Sequence, residues 1–386
     1  MTTLIQDLPA DWREGLFLGR LRLAEGPTPV LVRQGRVHDI SAWAPTTAQA
    51  AARPDLHTAP GRDLGDLEAL DLPPAWDDAE ASPRLLSPVD LQCIKASGVT
   101  FAVSAVERVI EERARGDADK ALAIREALAD RVGADLSAVK PGSDQAFALK
   151  DALIADGLWS QYLEVAIGKD AEIFTKAPVL ASVGWGDLVG VRPDSAWNNP
   201  EPEVAILCDP AGRPVGAALG NDVNLRDIEG RSALLLGKAK DNNASAALGP
   251  FVRLFDDGFG MDDVRDATVS LEVRGDDGFV LEGSSSMRLI SRDPLDLIGQ
   301  TLNENHQYPD GFILYLGTMF APIKDREAPG QGFTHKPGDL VTVSSERLGT
   351  LRNRVTTTDK APPWTVGLAD LMYNLAGRGL LQERPY

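Results

Sequence analysis

Cysteine and histidine are scarce in this chain of 386 residues, which has two of the first and four of the second. A disulfide framework is therefore excluded, and Cys93 with Cys208 fits a reducing, cytoplasmic setting. Long apolar runs are missing too: no window approaches the ~18 residues of a membrane span. The opening MTTLIQDLPADWREG has no basic head or apolar stretch, so it does not read as a signal peptide. Positive charge is short, with 39 Lys and Arg against 57 Asp and Glu, for a net charge of −18. Such a surface repels nucleic-acid phosphates and anionic membranes, and neither is expected as a partner. A small anionic substrate stays open, because a bound metal and local Lys or Arg can invert the field in one cleft.

What is present is 43% hydrophobic residues, enough for a large core, and two domains are expected at this length. Residues 14–40 read as three short strands with turns at Gly26-Pro27 and Gln34-Gly35. Residues 41–88 lose this periodicity and end in a Pro- and Asp-rich connection. A boundary near Pro88 divides a small β-rich N-terminal domain, 1–88, from a larger one, 89–386. From Thr100 the pattern turns helical, with Phe101, Ala105, Val109, Leu122 and Leu128 at helix spacing. Gly116-Asp117 breaks this stretch, Gly133 ends its second helix, and Ser143 and Gly157 bracket a third. The helical segment at about 101–157 lies where a lid over a site would be placed. Beyond it strands outnumber helices without β-helix-β alternation, which predicts an α+β fold built on a mixed β-sandwich or β-roll.

The chemistry is concentrated between Asn198 and Pro250. Val204 to Cys208 is an apolar run, Asp209-Pro210-Ala211-Gly212 has turn chemistry, and Pro214 to Leu219 is a second run, which together predict a β-hairpin. Glu201 and Glu203 are two apart and share a strand face. A turn centred on Pro210-Ala211 sets Glu201 opposite position 220, so Asp222 joins the same face. Three carboxylates so placed repel unless a cation sits among them, and all-oxygen ligands suit Mg²⁺ or Ca²⁺ better than zinc. Simple solvation of acidic strand ends is the competing reading.

EPEVAIL, GNDVNLRD and KAKDNNASAALGP, followed by YPDGFILYLGT, KPGDLVTVS and LGTLRNRV, resemble the fumarylacetoacetate hydrolase superfamily over roughly the C-terminal three-quarters of the chain. The resemblance implies that Glu201, Glu203 and Asp222 hold Mg²⁺, with Mn²⁺ or Ca²⁺ as substitutes. It implies a catalytic Lys240, with Lys238 as competitor, and a homodimer or homotetramer. Superfamily hydrolases carry an aromatic-x-x-His-x-x-Glu pattern that activates water. Aligned on Phe101, this chain has Ser104 for the His and Glu107 for the Glu, and none of His38, His57, His306 or His335 has that spacing. Without the imidazole the usual base for water attack is missing.

The resemblance is instead to the superfamily's sugar-acid dehydratases. It implies loss of water from a 2-keto-3-deoxy-pentonate to give 2,5-dioxopentanoate, with Glu172 in proton transfer and Ser104, Glu107 and Thr318 at the substrate. Each has a plainer reading: Ser104 and Glu107 form an S-x-x-E capping box, Glu172 is a loop carboxylate, and Thr318 is structural. Hydrolysis of an acylpyruvate or diketo acid, and a non-catalytic acidic Ca²⁺-binding protein, are the alternatives. Gly184, Gly186 and Gly190 narrowly miss a dinucleotide fingerprint and read as a turn, since breakers follow them.

Overall fold

The structure, a computed structural model, describes residues 4–118, 120–121, 124, 139–320, 322–327 and 332–381. The first strands are β1 (Leu16–Leu23), β2 (Gly26–Arg33), β3 (Arg36–Asp39), β4 (Arg62–Asp66), β5 (Arg84–Leu86) and β6 (Cys93–Gly98), with helix α1 (Thr47–Ala51) between β3 and β4. Helices α2 (Ala102–Ala114), α3 (Asp144–Ala155) and α4 (Gln161–Ile167) follow. Next come β7 (Glu172–Ala177), β8 (Leu188–Val191), β9 (Pro202–Cys208) and β10 (Pro214–Asp222), then α5 (Arg226–Glu229) and α6 (Leu236–Lys240). The remainder is β11 (Ala246–Leu254), α7 (Met261–Asp266), β12 (Thr268–Arg274), β13 (Val280–Ser286), α8 (Pro294–Thr301), β14 (Phe312–Tyr315), β15 (Leu340–Ser345), β16 (Gly349–Thr357) and α9 (Leu368–Gly377).

These strands make two mixed sheets. The larger runs β4-β3-β2-β1-β11-β10-β9-β14-β6-β7, with β5 also on β1; the smaller runs β13-β12-β15-β16-β8. The first strands of the chain thus share a sheet with the acidic hairpin, through β1 on β11. Val204 and Ile206 enter one apolar core together with Val341, Val343 and Leu351 of the smaller sheet. Ala205 and Leu207 enter a second core on the opposite face with Leu18, Leu31 and Tyr315. A central strand covered on both faces must be apolar throughout, which is why VAILC does not alternate.

The helices pack around their own cluster, including Val109, Ile110, Leu163 and Ile167. As expected, Ser143 caps α3 by accepting from the Ala146 amide at 3.2 Å, and the chain passes Gly157 at φ +69°. α2 stops at Ala114 with Arg115 and Gly116 in the left-handed region. The expected positions Leu122, Leu128 and Gly133 lie outside the described residues. The glycines at 184, 186 and 190 lead into β8 rather than a helix. Strand β4 was not anticipated, because an exposed edge strand carries no apolar alternation.

A buried carboxylate cluster as the candidate active site

β9 and β10 form the expected hairpin, but its register differs by two from the one a simple central turn predicts. Glu203 pairs with Gly220, and the Asp222 amide donates to the Glu201 carbonyl at 3.0 Å. A turn closed by Asp209 on Arg213 supplies one residue of the difference, and an irregularity between Pro214 and Gly216 the other. A shift of two residues preserves side-chain parity, so all three carboxylates still share one face. Glu201, Glu203 and Asp222 are buried, and one carboxylate oxygen from each lies within 4.8 Å of the others.

Cations surround this trio. Lys240, at the end of α6, places Nζ 3.0 Å from Asp222 Oδ2 and in contact with Glu201. Its competitor Lys238 is at the surface, 3.5 Å from Asp194. Lys176 of β7, fully buried, sits 2.8 Å from Asp222 Oδ1 and donates to the Val223 carbonyl at 3.0 Å. Arg108 of α2 touches Glu201 and lies 2.6 Å from Glu111 and 3.0 Å from Glu229. Arg226 pairs with Glu111 at 2.6 Å and Glu107 at 3.0 Å, with its guanidinium 4.6 Å from the Trp197 ring centre.

The charges are unequally compensated. Burial pushes Glu203 well above the usual carboxylate range, and the charges of Asp222 and Glu201 add to this. Its Oε2 accepts from the Gly317 amide at 2.7 Å. Gly317 has φ +102°, and a Cβ there would meet Thr100 Oγ1 at 1.9 Å, so only glycine presents its N–H this way. Burial also opposes ionisation of Asp222, but Lys176 and Lys240 outweigh it and hold that carboxyl below its ordinary value. Burial disfavours the charge on Lys240, yet Asp222, Glu201 and Glu229 raise its pKa above normal. Glu172 is raised by burial, which outweighs Arg108 and Lys240. Glu229 is pushed up to about 7, again chiefly by burial.

One pocket brings together Ser104, Arg108, Glu172, Glu201, Glu203, Asp222, Glu229, Lys240 and Thr318. Glu172 is the first residue of β7, not a loop carboxylate. Ser104 is not an N-cap: α2 begins three residues earlier, because Thr100 and Phe101 are anchored to the Leu316 carbonyl and Ile290. Its hydroxyl donates to the Phe101 carbonyl at 2.8 Å. Glu107 faces Arg226 and is not part of the pocket wall, and Thr318 Oγ1 donates to the Phe320 carbonyl at 3.1 Å. No histidine lines the pocket; His335 is buried against Asp339 at 3.3 Å. Sequence reasoning missed Arg108, Glu111, Lys176, Arg226 and Glu229. The spacing of Glu107, Arg108 and Glu111 on one helix was the available signal.

Three hard oxygen donors, with one carboxyl forced upward by burial and then by the other two, fit a divalent cation such as Mg²⁺. Residues 215–356 match the family described as fumarylacetoacetate (FAA) hydrolase C-terminal. A protein of Haloferax volcanii named "Probable 2-keto-3-deoxyxylonate dehydratase" is 28% identical over 268 residues, 64% of this chain and 89% of its own length. The "2-dehydro-3-deoxy-D-arabinonate dehydratase" of Saccharolobus solfataricus is 31% identical over 180 residues, 47% of this chain and 57% of the relative. A solved 2-keto-3-deoxy-D-arabinonate dehydratase, complexed with magnesium and 2,5-dioxopentanoate, superposes with TM-score 0.62 at 21% identity. That match covers 89% of this chain and 98% of the other. The fold is thus of the fumarylacetoacetate hydrolase type, and the resemblance read from the sequence is found in sequence relatives and fold alike.

Proposed function

We propose that this protein is a Mg²⁺-dependent hydro-lyase that dehydrates a 2-keto-3-deoxy-pentonate of the D-arabinonate or D-xylonate type to 2,5-dioxopentanoate, in oxidative pentose catabolism. The observation that carries this reading is the buried trio Glu201, Glu203 and Asp222 with Lys240 beside it, in a pocket without histidine. The two dehydratase relatives support the substrate class.

Glu201, Glu203 and Asp222 would hold the cation. When bound, Mg²⁺ supplies Lewis acidity toward the keto oxygen and compensates negative charge that develops as C3 is deprotonated. Glu172 takes the C3 proton; its raised pKa brings it closer to a base that works near neutrality. The electron pair of that C–H bond is held first in the substrate's enolate; in a second step it forms the C3=C4 bond while the C4–O bond breaks, and the hydroxyl takes up a proton and leaves as water. The enone then tautomerises: one C5–H and the C5 hydroxyl proton are given up, C3 and C4 each take up one proton, and C5 is left as the aldehyde. Lys240, kept cationic by its neighbours, neutralises the substrate carboxylate. Ser104 and Thr318 offer hydroxyls to the substrate, and Glu107 acts through Arg226.

Residues 1–88 make the β-rich N-terminal unit in this reading, and 89–386 the catalytic one. The unpaired Cys93 and Cys208 support a cytoplasmic setting. Exposed Leu368, Met372 and Tyr373 on α9 suit a homodimer or homotetramer contact. The deciding experiment supplies Mg²⁺ with either a 2-keto-3-deoxypentonate or an acylpyruvate. Consumption of the first with formation of 2,5-dioxopentanoate is expected. Cleavage of the acylpyruvate would restore hydrolysis, and turnover of neither would leave an ion-binding protein.

A further inference from the structure

Elimination of water needs a base at C3 and an acid at the C4 oxygen, and Glu172 supplies only the first. Among the described residues the pocket holds a second carboxyl outside the metal-holding trio. Glu229 closes α5, is buried, and opens into the same pocket as Glu172.

Its surroundings contrast with those of Glu111, which also pairs with Arg108 and lies outside the metal-holding trio. Glu111 receives two guanidinium groups, Arg108 and Arg226, each at 2.6 Å. Burial opposes its ionisation, but together they hold it below its ordinary value. Among the described residues Glu229 has a single ion pair, with Arg108 at 3.0 Å, and its Oε2 accepts no hydrogen bond. Among the described residues, the ionisable groups around it are Arg108 and Glu111 from α2, Lys240 from α6 and Glu201 just before β9. Tyr162 of α4 also lies within its electrostatic reach. Three buried carboxyls meet Arg108; with Glu201 given to the metal, the remaining two divide into a fully paired permanent anion, Glu111, and a proton carrier, Glu229.

Resting on the dehydration reading above, we propose that Glu229 is the general acid of the reaction, handing its proton to the departing C4 oxygen. The O–H bond of the carboxyl breaks, the C4–O pair takes up that proton, and water is released. The Glu229 carboxylate is then neutralised by Arg108. The enzyme regains its starting protonation when the proton collected by Glu172 returns through solvent. A pKa of about 7 suits a group that must be protonated part of the time at neutral pH.

The test separates proton removal at C3 from loss of the hydroxyl. Mg²⁺-loaded wild type and Glu229→Gln are incubated with a 2-keto-3-deoxypentonate in D₂O. Proton NMR follows C3 deuteration of the remaining substrate, and a product assay follows elimination. In the variant, elimination is expected to fall ~10²–10⁴-fold, the usual contribution of a general acid. C3 exchange should persist at no less than the wild-type rate, which also shows that the variant is folded and binds substrate. Equal loss of both rates would mean that Glu229 only positions Arg108, and wild-type elimination in the variant would exclude any role; either overturns the proposal. If Glu229→Gln fails to fold, Glu229→Asp replaces it. Exchange retained with slowed elimination then supports the proposal, and parallel loss of both overturns it. A wild type that neither exchanges nor eliminates sinks the dehydration reading itself, and the role of Glu229 with it.

Discussion

Glu172 Oε2 occupies the space that a side chain on Gly98 would need: a Cβ there would lie 1.9 Å from that oxygen. The two residues are register partners on β6 and β7. The candidate base therefore holds its place because its cross-strand neighbour has no side chain. Gly98→Ala should push the flexible end of Glu172 aside while sparing the backbone. We expect kcat to fall in the direction of Glu172→Gln, which itself should cost ~10²–10⁴-fold. KM should change little in both, since a lost proton-transfer group affects the transition state and not the bound substrate. Steady-state kinetics of the two variants checks this; unchanged kcat in Glu172→Gln removes that residue from the chemistry.

Glu203→Gln should abolish Mg²⁺-dependent turnover and weaken Mg²⁺ binding in calorimetry. The metal-free protein should not lose stability, because Glu203 is a buried carboxyl beside two others and gains little from its charge. Circular dichroism melts in chelator measure the second part. Full activity of the variant, or of wild type in excess chelator, contradicts the metal assignment.

The pH dependence of the metal-free protein follows from the raised carboxyls Glu172, Glu203 and Glu229. Each keeps its proton in the folded state above the ~4.3 at which an unfolded glutamate loses it. The folded state then binds more protons than the unfolded one, so stability falls as pH rises from about 4.3 through each folded pKa. Glu229 places one such loss near neutrality, with about 7 as its folded value. Melting temperature in chelator should therefore be higher at pH 6 than at pH 8 in this cluster's contribution. The difference should shrink in Glu229→Gln, at no more than ~1.4 kcal/mol per pH unit for one group.

Lys176→Met removes the cation at Asp222 Oδ1, leaving Lys240 alone at Oδ2 of that carboxylate, and takes the side-chain donor from the Val223 carbonyl. Breaking one partner out of a buried pair costs ~3–5 kcal/mol. Urea unfolding should show this loss, whereas an exposed substitution such as Lys238→Met should change stability by under ~1 kcal/mol.

What was legible beforehand was local. The face shared by Glu201, Glu203 and Asp222 depends on strand period alone, so it survived a register error of two. The Ser143 cap was equally local. The cation network was hidden because its partners are far apart in the chain: Arg108 and Glu201 by 93 positions, Arg226 and Glu111 by 115. Ser104 was misread for a tertiary reason, since contacts to Leu316 and Ile290 fix where α2 begins. Lys240 is buried at Asp222 while Lys238 lies at the surface by Asp194, a difference in burial that chain spacing does not encode.

β14 wedges between β9 and β6, antiparallel to one and parallel to the other. During synthesis the ribosome therefore releases the acidic hairpin and the strand bearing Gly98 well before the piece that joins them. Until Phe312–Tyr315 emerges, those two edges have no common neighbour, and Gly317 is not yet there to hold Glu203. A nascent chain cut short of that strand would carry its carboxylates without a pocket, so affinity for the divalent ion arrives only as translation nears its end.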